Sequence, residues 1–192
     1  MDCLSKIWLN AGKSEKNVKL DFSKLKIFEK PENAMTADNQ QERLDPRYVC
    51  GFVDGEGCFH VSINKVPKMS VGWQVLPEFR VVQHERDESV LKELQKFFGA
   101  GKIVTNHGTR KELRIRKLNE LRDVVSFFKK YKLQTQKKKN LEIFANILEL
   151  MEHKKHLTIE GLTEIATLCW SMNRKIKPHF LESSETICQK SF

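Results

Sequence analysis

The sequence predicts an α+β domain: an αββαββα core in which helices back a four-stranded antiparallel sheet, followed by further helices. Three observations carry this expectation. Residues 58–65 with 73–83, and 102–106 with 111–116, alternate apolar and polar side chains with the period of half-buried strands. Each pair is joined by a turn-like connection, Pro67-Lys68-Met69-Ser70 in one and His107-Gly108 in the other. Each pair is also preceded by a helical stretch. Two consecutive hairpins of this kind form an antiparallel sheet with one covered face and one open polar face.

Taken in order, Asp45 before Pro46 is an N-cap followed by proline at the first helical position, which opens a helix to about Gly55. The same stretch admits another reading, because Asp54-Gly55 is also ordinary hairpin chemistry. In the first strand Phe59, Val61 and Ile63 oppose His60, Ser62 and Asn64; in the second Val75, Phe79 and Val81 oppose Gln74, Glu78 and Arg80. Asp87 is expected to cap a helix whose stripe is Leu91, Leu94, Phe97 and Phe98, ended by Gly99. Leu113 and Ile115 then alternate with Glu112, Arg114 and Arg116. Asn119 is expected to cap a helix to about Lys130. A further helix over 136–152 buries Leu141, Phe144, Ile147, Leu148 and Met151, and Thr158 opens the last one, to about Asn173. Residues 1–43 read as a polar N-terminal extension, 44–180 as the domain and 181–192 as a tail.

A chain of 192 residues with 40% hydrophobic content and 12 Phe has enough apolar mass for a packed core. Its net charge is +9, of which residues 1–40 supply only +1, so the excess belongs to the predicted domain. A basic domain of this kind points to a polyanion, and nucleic acid is the commonest. Five scattered cysteines without a CxxC pair indicate neither a zinc knuckle nor a disulfide framework. His153 and His156 are spaced i, i+3 but lack further ligands nearby, and read as helix-surface residues. No apolar run reaches membrane-spanning length, and the N-terminus lacks a secretory h-region.

The most informative segment is 48–59, YVCGFVDGEGCF. Gly51 and Gly55, at i and i+4, would let another backbone approach the helix closely. Glu56 puts a carboxylate in the last turn, where the helix dipole disfavours it. A bound metal ion is the usual partner that makes such a placement tolerable.

Val49-Cys50-Gly51-Phe52-Val53-Asp54-Gly55-Glu56-Gly57 resembles the signature of the LAGLIDADG homing endonucleases, with Val for the leading Leu, Cys for Ala and Glu for the final Asp. The likeness continues through LPEFRVVQHERDESVLKELQKFFGAGKI, KKYKLQTQKKKNLEIF and HKKHLTIEGLTEIATLCWSMNRK, in order, and spans roughly Leu44 to Lys177. It implies a site-specific double-strand DNA endonuclease, encoded in an intron, that hydrolyses phosphodiesters with Mg²⁺. RNA maturase activity on the host intron RNA, and DNA binding without cleavage, are the alternatives. Family members of this form are commonly encoded in chloroplast or mitochondrial genomes. Neither a membrane nor a small-molecule substrate is implied.

Cutting both strands requires two hydrolytic centres, and the chain carries one motif, so a homodimer is expected. Val49, Cys50, Gly51, Phe52, Asp54 and Gly55 would form its helical seam. Glu56, with Gly55 beside it, would hold the metal, whereas Asp54 is expected to serve the helix end or the backbone. The resemblance assigns Gln83 to orienting water and Lys137 to stabilising charge at the phosphate, although Lys138 and Lys139 leave that position open by one or two residues. His60, Ser62, Asn64, Gln74, Glu78, Arg80, Lys102, Asn106, Arg114 and Arg116 are the outward sheet positions expected to meet DNA.

Overall fold

A computed structural model describes residues 44–172 and 177–182 of the chain. Helix α1 (Pro46–Glu56) starts as its local signal dictates: the Asp45 carboxylate accepts the Arg47 N–H at 2.6 Å, and Pro46 occupies the first turn. Asp54 and Gly55 are helical, so the hairpin alternative does not occur. The helix runs one residue past its expected end. Gly57 then takes an extended conformation (φ −74°, ψ 155°) and leads directly into strand β1 (Gly57–Lys65).

Strand β1 pairs antiparallel with β2 (Trp73–His84). β2 pairs with β4 (Arg110–Ile115), and β4 with β3 (Lys102–Thr105), giving the order β1-β2-β4-β3. The expected four-stranded antiparallel sheet is therefore present, with small changes at its ends. Asn106 lies in the β3–β4 turn rather than in a strand, with its N–H donated to the Arg110 carbonyl at 2.9 Å. Arg116 follows the end of β4.

Helix α2 (Glu88–Phe98) is preceded by one 3-10 turn, Glu85–Asp87. That turn displaces Asp87 from the capping role: its carboxylate takes Arg86 Nε instead, and His84 Nδ1 accepts the Arg86 N–H. Gly99 ends α2 in the left-handed region at φ 61°. Helix α3 (Leu118–Lys130) starts two residues earlier than expected, with Lys117 at the N-cap position, so Asn119 sits within its first turn and caps nothing. Helices α4 (Lys137–Glu152) and α5 (Ile159–Ser171) follow. Thr158 caps α5, its hydroxyl accepting the Gly161 N–H at 3.2 Å; Asn173 lies outside the described residues, as does the 1–43 extension.

All the helices lie against one sheet face. Phe59 and Phe79 meet there with Phe128 of α3 and Phe144 of α4, at ring distances of 5.2–6.0 Å. Each buried ring contributes about 1.5–3 kcal/mol. Phe180 is also buried, edge-on to Trp73 at 5.3 Å. The expected boundary after residue 180 thus cuts through a packed turn, His179–Glu182. Among the described residues no helix is long and apolar enough to cross a membrane.

Candidate active site and nucleic-acid interface

The end of α1 is built by close packing and by a borrowed cation. A Cβ at Gly57 would lie 2.6 Å from the Val53 side chain and 2.9 Å from its carbonyl oxygen, so glycine lets the helix and β1 meet without a loop. The last carbonyls of a helix have no partners within it. Here Lys137, the first residue of α4, supplies one: its Nζ donates to the carbonyls of Val53, Asp54 and Gly55 at 3.1, 2.9 and 2.7 Å. Burial lowers the Lys137 pKa, an effect only partly offset by Asp54, Cys58 and Glu56. Lys138 and Lys139 point outward beside Gln134 and Glu142, which removes the sequence ambiguity about which lysine reaches the motif.

Asp54 turns toward the loop before α4. Its carboxylate accepts the Gln134 and Thr135 N–H groups at 2.8 and 3.2 Å, and the Thr135 hydroxyl at 2.8 Å. Burial alone would raise its pKa, but these hydrogen bonds outweigh it and hold the carboxyl below its ordinary value. Glu56, in contrast, is exposed at the helix end. Gln83 belongs to the same end of the sheet, two residues beyond the Gly57↔Val81 pair, and is half-buried.

Among the described residues, no three His, Cys, Asp or Glu side chains cluster as metal ligands. The donor set is one free carboxylate with one backbone carbonyl, that of Gly55, which Lys137 already engages. Such a set suits a hard cation completed by phosphate oxygens and water, and does not form an all-protein cage.

Tyr48, Gly51, Phe52 and Gly55 form an open stripe on α1. A Cβ on either glycine would meet nothing within 4 Å, and the Tyr48 and Phe52 rings stack at 5.9 Å. Three of the expected interface positions lie elsewhere. Val49 is 0% exposed in the chain's own core with Val53, one hundred degrees or so around the helix from the stripe. Cys50 and Asp54 face the loop before α4, the Cys50 thiol donating to the Tyr131 carbonyl at 3.2 Å. Burial, with Asp54 next, pushes that thiol's pKa up.

The sheet face away from the helices is polar. Register puts Cys58 opposite Arg80, His60 opposite Glu78, Asn64 opposite Gln74, Arg80 opposite Arg114 and Lys102 opposite Arg114. Asn64, Gln74, Lys102, Asn106 and Arg116 are exposed; His60, Ser62, Arg80 and Arg114 are half-buried. Burial first, and the Arg80 charge second, lower the His60 pKa, so the ring is neutral at pH 7. Glu78 corrects an expectation: it is 4% exposed, covered by Arg116 and Arg80, and does not stand free on the surface. On this face the alternation placed Glu112 without revealing its burial, and it missed Arg110. Glu112 is 0% exposed beneath Arg114, with Nε to Oε1 at 2.6 Å. Arg110, exposed, continues the alternation of β4 one step before the strand was expected to start.

Residues 49–148 match the family model for the LAGLIDADG endonuclease. The probable intron-encoded endonuclease 2 of Neurospora crassa is 35% identical over 71% of this chain and 32% of its own length. The chain spans about a third of the length of that relative and 26% of the length of the probable intron-encoded endonuclease 3 of the same fungus, to which it is 30% identical over 70% of its own residues. The crystal structure of the homing endonuclease I-TnaI superposes with TM-score 0.71 at 48% identity, covering 76% of this chain and 99% of that one. I-SmaMI, a LAGLIDADG homing endonuclease solved bound to cleaved DNA, gives TM-score 0.70 at 35% identity over 73% of this chain and 47% of its own. A further I-SmaMI structure holds an uncleaved DNA target in the presence of calcium ions.

Proposed function

Since the chain belongs to the LAGLIDADG endonuclease family, we propose that it is a site-specific double-strand DNA endonuclease of the intron-homing type. The observation that carries this is the exposed carboxylate of Glu56, at the end of a helix whose terminal carbonyls are held by Lys137, at one end of an open basic sheet face. Glu56 is the group free to bind a cation at the scissile phosphate. Lys137 offsets the negative helix end and lies where charge develops on that phosphate. Gln83 orients the attacking water. The relative solved on DNA with calcium supports a hard divalent cation, and Mg²⁺ would activate water and stabilise the leaving oxygen.

Two strands need two such centres. A second copy of the chain packed on the Tyr48-Gly51-Phe52-Gly55 stripe would bring two Glu56 side chains together and set two sheets side by side over a long, partly palindromic target. Intron-encoded relatives support an organellar origin, chloroplast or mitochondrion.

The test is cleavage of a randomised duplex library in Mg²⁺, with Glu56→Gln beside the natural chain. The natural chain cuts a defined sequence; the variant loses at least about a hundredfold of that activity yet still retains the DNA. Undiminished cutting by the variant overturns the role of Glu56. Sequence-specific retention by the natural chain without cutting identifies a DNA-binding protein, and accelerated splicing of the host intron RNA identifies a maturase.

A further inference from the structure

The two glutamates under the arginines are hard to account for on a surface meant for a polyanion. Glu78 and Glu112 are nearly or fully removed from water, on the open face of the sheet. Burying a carboxylate costs free energy even when it is paired, and isosteric apolar residues often do as well or better for stability. Glu112 Oε2 is buried without a protein partner, an added cost that a stability role leaves unexplained. Two negative charges also weaken attraction to phosphates. Their geometry suggests what they provide instead. Arg114 bonds Glu112 through Nε, Arg116 bonds Glu78 through Nε, and Arg80 Nε is ion-paired with Glu78 at 3.6 Å. Every contact uses the inner edge of the guanidinium. Among the described residues, the terminal nitrogens of all three donate no hydrogen bond to a protein group.

An unrestrained arginine on such a face would turn to the nearest phosphate, which carries no sequence information. One anchored by Nε keeps its terminal nitrogen pair as a fixed outward fork, the arrangement that bonds guanine O6 and N7 in the major groove. We propose that Glu78 and Glu112 are specificity-determining positioning residues, which hold the forks of Arg80, Arg114 and Arg116 toward guanine edges of the DNA. The inference rests on the DNA reading above and names the base chemistry that this face selects. The hydrogen bond that Arg114 donates to Glu112 also raises the Arg114 pKa, consistent with a tightly held pair.

The experiment selects binding sequences from a randomised duplex library in Ca²⁺ with the full chain, and with Glu112→Gln and Glu78→Gln. Affinity for a fixed random-sequence duplex is measured alongside. The natural chain should enrich guanine at a few positions. Glu112→Gln should flatten that preference roughly ten- to hundredfold at the position read by Arg114, and Glu78→Gln at those read by Arg80 and Arg116, while each binds the random duplex as well or better, since a negative charge has gone. Should Glu112→Gln fail to fold by circular dichroism, Glu78→Gln, whose carboxylate is less deeply buried, carries the test. Unchanged base preference, or equal weakening toward selected and random duplexes, overturns the proposal, since a merely structural pair would behave in that way. A natural chain that selects no sequence overturns the DNA reading and this inference together.

Discussion

Lys137 Nζ lies 2.7 Å from the carbonyl oxygen of Gly55, so a cation from α4 closes the negative end of the motif helix. The same ammonium reaches two more carbonyls of that last turn. Glu56 can therefore sit at a helix end that would otherwise repel it. The contact also ties the start of α4 to the end of α1, so the lysine has a structural task beside the chemical one proposed for it. Lys137→Met keeps the aliphatic stem and removes the donors. Denaturant titration should show a loss of about 1–2 kcal/mol. Single-turnover cleavage should fall at least about a hundredfold while DNA retention changes little. Full cleavage with reduced stability would leave Lys137 a purely structural residue.

Asp54 makes the complementary tie, from α1 to the backbone of Gln134 and Thr135. Its folded-state pKa is depressed, so the unfolded chain binds the proton more readily. The contribution is then complete above the ordinary carboxylate value near 4 and is lost as pH falls through the lower folded value. Asp54→Asn should cost about 1–2 kcal/mol at pH 7. The gap between the two proteins should close on acidification below about pH 4. A gap of equal size at pH 7 and pH 2.5 would show that the carboxylate's charge is not what the loop requires.

Signals that act over one or two residues were legible in the sequence. The Asp45-Pro46 start, the Thr158 cap and the alternation of all four strands depend on nearest neighbours, and the structure has each of them. Helix rotation was harder to read. Both Val49-Val53 and Tyr48-Phe52 are apolar pairs on α1, and only the position of the sheet decides that the first faces the core. The lysine run 137–139 posed the same difficulty, since successive residues differ by about a hundred degrees and nothing local says where α4 begins relative to α1. Alternation gave the face of Glu78 and Glu112 but not their burial. That depends on arginines whose side chains fold over them, with Arg116 contributed by the far end of β4.

The rotation of α1 separates association from stability. Gly51 has open space around a would-be Cβ, so Gly51→Ala should stabilise the isolated fold by about 0.5–1 kcal/mol through helix propensity. Gly51→Leu should leave the fold intact but block close apposition of two helices, converting the proposed dimer to monomer in sedimentation. Val49→Ala should do the reverse, lowering stability by about 1–3 kcal/mol without altering the oligomeric state. A Gly51→Leu protein that still sediments as a dimer would exclude the stripe as the seam.

Gly57 tests the other glycine chemistry, close approach without positive φ. A methyl group there meets the Val53 side chain and backbone oxygen at distances that real Cβ atoms do not adopt. Gly57→Ala should therefore push α1 away from β1 and cost about 1–3 kcal/mol. Because Val53 is buried beside Val49, its displacement would propagate into the core, not into solvent. The same shift would move Glu56, the adjacent residue, so cleavage should fall more than fold stability alone accounts for. Activity measured well below the melting temperature, at constant folded fraction, separates the two effects. Full activity in a destabilised Gly57→Ala chain would mean that the position of Glu56 does not depend on the direct passage from helix to strand.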